Sequence, residues 1–152
     1  MNKLRSRVTG LALAVSAVAA VLLPAGLADA SARPAASPAS RIAVSSMGTD
    51  LRVTLTAIRG PSQSGGSPVA TVKVAAYRRS AGKWKLIGRQ TVGRSNAWFW
   101  NVVTGEDAVC QFSTSGLSPY PMAIRLLVSD SIGCSAVTYN FHVDKYGALV
   151  PG

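Results

Sequence analysis

The sequence predicts an all-β fold, an antiparallel immunoglobulin-like β-sandwich of about seven strands, and three observations predict it. From residue 50 onward apolar side chains recur at every second position, the period of a half-buried strand. The runs are short and are separated by turns rich in Gly, Pro, Ser and Asn. No stretch after residue 50 carries a convincing helical period. A partly closed β-barrel is the alternative fold.

In chain order, Lys3, Arg5 and Arg7 precede an apolar run from Val8 to Leu23, and Ala28-Asp29-Ala30 and Ala30-Ser31-Ala32 offer two overlapping small-residue cleavage sites. Residues 1–32 are therefore expected to be a secretory signal peptide, cleaved after Ala30 or Ala32, with a secreted, extracellular or cell-surface product. The apolar run of 16 residues is short of the ~20 needed to span a bilayer, and Pro24 and Gly26 follow it, so no membrane span is expected after cleavage. No cysteine precedes Cys110, which excludes a lipid-modified cysteine at the cleavage point. Residues 33–48, rich in Ala, Pro and Ser, are expected to form a flexible N-terminal arm, and residues 49–152 a single β-sandwich domain.

The first run, Asp50 to Arg59, sets Leu51, Val53, Leu55 and Ala57 against Arg52, Thr54 and Thr56. After a Gly- and Pro-rich loop, Val69 to Arg79 sets Val72, Val74 and Ala76 against Lys73, Ala75, Tyr77 and Arg79. Ser80-Ala81-Gly82 is expected to be a three-residue hairpin loop with Gly at the left-handed position. Lys83 to Val92 then places Trp84 and Leu86 on the face of Val72 and Val74, with Lys83, Lys85 and Arg89 opposite. Asn96 to Thr104 follows as a strand with Trp98 and Trp100 on one side, then Ala108 to Thr114, Met122 to Ser129 and Ala136 to Val143. In immunoglobulin domains the cysteines lie on the second and sixth strands, whereas here they lie near the fifth and before the seventh, so the likeness is one of architecture.

Cys110 and Cys134, the only two cysteines, are expected to form a disulfide, because an exported chain meets oxidising conditions. The loop of about 25 residues they close gives roughly 3.5 kcal/mol in the chain-entropy model. The formal charge is +10, and removal of Lys3, Arg5, Arg7 and Asp29 with the signal leaves +8. That excess favours acidic partners such as anionic cell-wall polymers, phospholipid head groups or nucleic acid. Its densest expression is Lys73, Arg79, Lys83, Lys85 and Arg89, expected to share one sheet face with Tyr77 among them as an anion-binding surface. Trp98 and Trp100 form an aromatic candidate, either a stacking platform or core. Catalysis is poorly supplied. His142 is the only histidine and has the outward parity of Thr138 and Asn140, and no nucleophile elbow, phosphate loop or zinc-protease motif occurs. No cofactor is expected, and neither a metal nor a catalytic residue is assigned.

Trp98-Phe99-Trp100-Asn101-Val102-Val103-Thr104-Gly105 and Ser131-Ile132-Gly133-Cys134-Ser135, behind an Ala-rich export signal, resemble small secreted proteins of actinomycetes that carry no assigned activity. The resemblance covers most of the chain after the signal and implies no catalytic residues. Secreted subtilisin inhibitors are similar in size and export but hold two disulfides, where this chain has cysteines for one. The expected function is a secreted, non-catalytic binding or structural module that meets an anionic cell-wall polymer or a protein partner through its basic sheet face. The alternatives are a secreted protease inhibitor, which requires an exposed, rigid Gly116 to Pro121 loop, and a small hydrolase, which requires His142 in a pocket with Asp130 or Glu106.

Overall fold

Alternation of apolar and polar residues along the chain resolves into two antiparallel sheets packed face to face, not closed into a barrel. The computed structural model describes residues 37–62 and 66–152, and the expected signal peptide, residues 1–32, lies outside them. The first sheet is a meander of β1 (Ala39–Met47), β2 (Leu51–Ser62), β3 (Pro68–Ser80) and β4 (Lys83–Thr91). A two-residue strand β5 (Trp98–Phe99) pairs with Val69 and Ala70 at the start of β3, where β4 has ended. One helical turn, α1 (Trp100–Val103), follows it. The second sheet comprises β6 (Val109–Thr114), β7 (Met122–Ser129), β8 (Gly133–Cys134), β9 (Tyr139–Val143) and β10 (Leu149–Pro151), in the order β10-β9-β7-β6 with β8 on β7. Each sheet is thus filled by strands from one half of the chain.

The stretch read as an N-terminal arm carries β1 instead. Gly48, at φ 65°, opens a tight turn that brings Met47 opposite Leu51, and β1 then pairs with β2 back to Ala39. Its Ala and Ser content hid this strand, because its order comes from the ladder to β2 and not from its own apolar period. The expected strand from Asn96 to Thr104 is also corrected: only Trp98 and Phe99 are extended, and the chain turns helical at Trp100.

The inner faces meet in one core. Leu51, Val53, Leu55 and Ala57 of β2 and Val72, Val74 and Ala76 of β3 pack against Met122, Ile124 and Leu126 of β7 and Phe141 and Val143 of β9. Trp98 closes one end, 5% exposed; its indole Nε1–H donates to the Val92 carbonyl at 3.0 Å, and its ring meets Tyr139 edge-on at 5.9 Å.

The two edges of the sandwich are joined differently. At one, the Ser45 and Thr114 hydroxyls link β1 to β6 at 2.7 Å. At the other, Gln90 Nε2 donates to the Leu149 carbonyl at 3.0 Å, and Gly88 lets β10 approach closely: a Cβ at residue 88 would lie 2.6 Å from Leu149 Cβ and 3.0 Å from its backbone nitrogen. The disulfide Cys110–Cys134 is formed as expected, with the Cα atoms 6.0 Å apart. Cys110 sits at the bulge of β6 between Val109 and Gln111, and Cys134 lies opposite Leu127, so the bond ties β6 and β8, two partners of β7, to each other.

Gly88→Ala is expected to push β10 off the β4 edge and destabilise the protein by about 1 to 3 kcal/mol, read as a lower urea midpoint, whereas Gly82→Asn, at a turn with open space and φ 77°, a conformation Asn tolerates better than other side chains, should cost less than about 1 kcal/mol.

Candidate anion-binding face

The face of the first sheet that turns away from the core is decided by register. β3 and β4 pair Ser80 with Lys83 and Arg79 with Trp84, so the hairpin turn contains only Ala81 and Gly82, at φ 49° and 77°. Positive φ at both central residues is the type I′ pattern, which matches strand twist. A two-residue turn in place of three shifts β4 by one position and exchanges its faces. Trp84 and Leu86 therefore lie outside with Tyr77 and Arg79, Leu86 being 44% exposed, while Lys83 and Lys85 lie on the side of Arg78. A bulge at Ile87 reverses the shift, since Ala76 pairs with Gly88 and Ala75 with Arg89. Beyond it Arg89 and Thr91 face outward again.

The expected cationic set is thus divided. Lys73, Arg79 and Arg89 share the outer face with Tyr77, and Lys83 and Lys85 do not. In their place β1 and β2 contribute Arg41, opposite Thr56, and Arg52, opposite Tyr77. Arg52 was legible from its parity with Thr54; Arg41 required β1 to be recognised as a strand. No Asp or Glu occurs in β1, β2, β3 or β4.

Two hollows mark this face, and Tyr77 borders both. The first, about 180 Å³, is lined by Arg41, Arg52, Thr54, Tyr77 and Trp84. The second, about 190 Å³, is lined by Ala39, Thr56, Ile58, Lys73, Ala75, Tyr77 and Arg89. Their floors are small residues: Thr54 is 7% and Ala75 4% exposed, although both point away from the core. The long side chains around them cover these floors. The Arg52 guanidinium carbon stands 4.2 Å from the Trp84 ring centroid, a stacked cation–π contact, and Lys73 Nζ donates to Thr91 Oγ1. Arg52 Nε is buried without a hydrogen-bond partner among the described residues.

The aromatic pair expected from Trp98 and Trp100 does not form a platform. Trp98 is core, and the helical turn carries Trp100 to the edge of the core, half-buried beneath the Arg59 guanidinium at 6.0 Å. Phe99 is the exposed member, at 47%. His142 points outward from β9 into a hollow of about 420 Å³ with Ser113, Thr114, Asn140 and Gly152, and no Asp or Glu lines it. Asp130 and Glu106 are not brought to His142. Among the described residues no group of three or more His, Cys, Asp or Glu is placed to hold a metal ion. The loop after β6 exposes Leu117 to 78% and is closed by Tyr120 N–H to Leu117 O at 2.7 Å and Ser115 N–H to Pro121 O at 3.1 Å.

In comparisons with known proteins, no family model, curated protein or solved structure matches this chain.

These positions separate the tryptophans energetically. Trp98→Ala is expected to lower stability by about 3 to 5 kcal/mol, as for a buried aromatic, and Trp84→Ala, on the outer face under Arg52, by about 1 to 2 kcal/mol; urea denaturation of the two variants checks the order.

Proposed function

We propose that the protein is exported and that the outer face of β1–β4 binds an anionic polymer of the cell wall. The observation that carries this is the gathering of Arg41, Arg52, Lys73, Arg79 and Arg89 around Tyr77 and Trp84 on strands that contain no acid. Cations without carboxylate partners keep their field directed at solvent, where it raises the local concentration of a polyanion and gains from counterion release. Export is supported by the basic, apolar and small-residue succession of residues 1–32 and by the disulfide. Among the described residues no helix is long and apolar enough to cross a membrane.

The test is retention of the purified protein on cell-wall sacculi that keep their anionic polymers, across a salt series. Lys73→Glu and Arg89→Glu together are expected to reduce retention at low salt by about 10-fold or more, and wild-type retention to fall steeply as salt rises. Lys83→Glu with Lys85→Glu, equal in kind but on the other side of the sheet, should reduce it by less than about 3-fold. Equal losses from the two sets would mean that net charge alone, not this face, holds the polymer.

A second reading rests on the exposed, backbone-bonded Leu117 loop, the feature a protease inhibitor needs. It expects stoichiometric inhibition of a subtilisin-type protease that Leu117→Asp abolishes; cleavage of the loop without inhibition at equimolar protein would exclude it.

A further inference from the structure

We infer, resting on the anion-binding reading above, that the polymer recognised by this face is an acidic glycan: a sugar ring lies on Tyr77 and its acid groups enter the hollows on either side. Tyr77 is the one residue common to both hollows, so whatever occupies the two together must cross its ring. Each hollow has two cations on its rim, Arg41 and Arg52 in one, Lys73 and Arg89 in the other, and neither has a carboxylate among its lining residues. Arg52 and Tyr77 share one row across the sheet, and Arg41, Thr56 and Lys73 share another four residues away along the strands, roughly 13 Å. The aromatic ring therefore lies where the two pairs of cations meet, beside Arg52 and one end of each hollow.

A ringless polyanion satisfies only the charged parts of that pattern. An acidic glycan supplies a flat C–H face for the tyrosine between successive anionic groups, and its hydroxyls find Thr54 and Thr56, which line the two hollows. The guanidinium of Arg52 is already oriented by its stack on the Trp84 ring, a partner that leaves its charge unneutralised. The two hollows meet at Tyr77, which suits a chain lying across the sheet.

The probes are an oligogalacturonate, its fully methyl-esterified neutral form, and a linear polyphosphate of matched charge, each titrated into the purified protein by calorimetry. Oligogalacturonate is expected to bind at least about 10-fold more tightly than the polyphosphate, with no binding of the neutral ester. Tyr77→Ala should weaken oligogalacturonate about 10-fold and leave polyphosphate unchanged, which also reports an intact face, while Tyr77→Phe retains both affinities. Equal affinity of the wild-type protein for the two polyanions would overturn the glycan assignment and leave the anion-binding reading standing. Binding of neither polyanion would overturn both, and tight binding of the neutral ester would show that the charges are not part of recognition.

Discussion

The pairing of β3 with β4 is set at the Ala81–Gly82 turn and reset at Ile87, and the identity of the outer face follows from those two points. A strand has only two sides, so one residue more or less between two strands exchanges every side chain beyond it. Between the turn and the bulge, β4 presents Trp84 and Leu86 to solvent. After the bulge it presents Arg89 and Thr91. Without the bulge Arg89 would face the other sheet, where Gly88 now accepts the approach of Leu149, and β10 could not close the sandwich edge. The same irregularity thus serves packing inside and charge placement outside.

The inner faces supply the rigidity this arrangement needs. Val53, Leu55, Val72 and Val74 are fully buried beneath the strands whose outer side chains form the hollows. A displacement of β2 against β3 would open that core, so the positions of Arg52, Thr54, Ala75 and Tyr77 are fixed by the packing behind them. The disulfide acts at a distance from this face, holding β6 and β8 against β7 in the second sheet. Stability and the candidate site are therefore carried by opposite sides of the same strands.

Where local pattern and long-range pairing agree, the sequence was sufficient. Leu51 to Ala57 and Val72 to Ala76 alternate cleanly, and both fall on the core side as their parity requires. Met122 to Ser129 has the bounds expected of it. The failures have separate causes. Ala81 lacks the Asn or Asp signature of a type I′ turn, so Ser80-Ala81-Gly82 is equally compatible with a three-residue loop, and the difference moves Lys83 and Lys85 across the sheet. Trp98-Phe99-Trp100 has strand-forming residues throughout, yet the chain turns helical at Trp100 with no side-chain cap to announce it. In β1 the apolar residues Ile42, Ala43 and Val44 run together at a register shift and do not alternate, so the strand does not declare itself, and with it went Arg41.

Two of the five cations of the outer face, Arg52 and Lys73, are held by neutral partners. Arg52 stacks on Trp84, and Lys73 bonds to a threonine hydroxyl. A surface built only for solubility gains by interspersing both signs, because like charges on neighbouring strands repel by a few tenths of a kcal/mol or more. Here the acids of the folded domain, Asp50, Glu106, Asp107, Asp130 and Asp144, all lie outside the strands, in turns and loops. Aromatic and hydroxyl partners orient a cation without cancelling its charge, so the side chains lose conformational freedom during folding and not on meeting a ligand. Under the proposed anion-binding function, a polyanion meets Arg52 and Lys73 already placed, on strands with no acid to neutralise them.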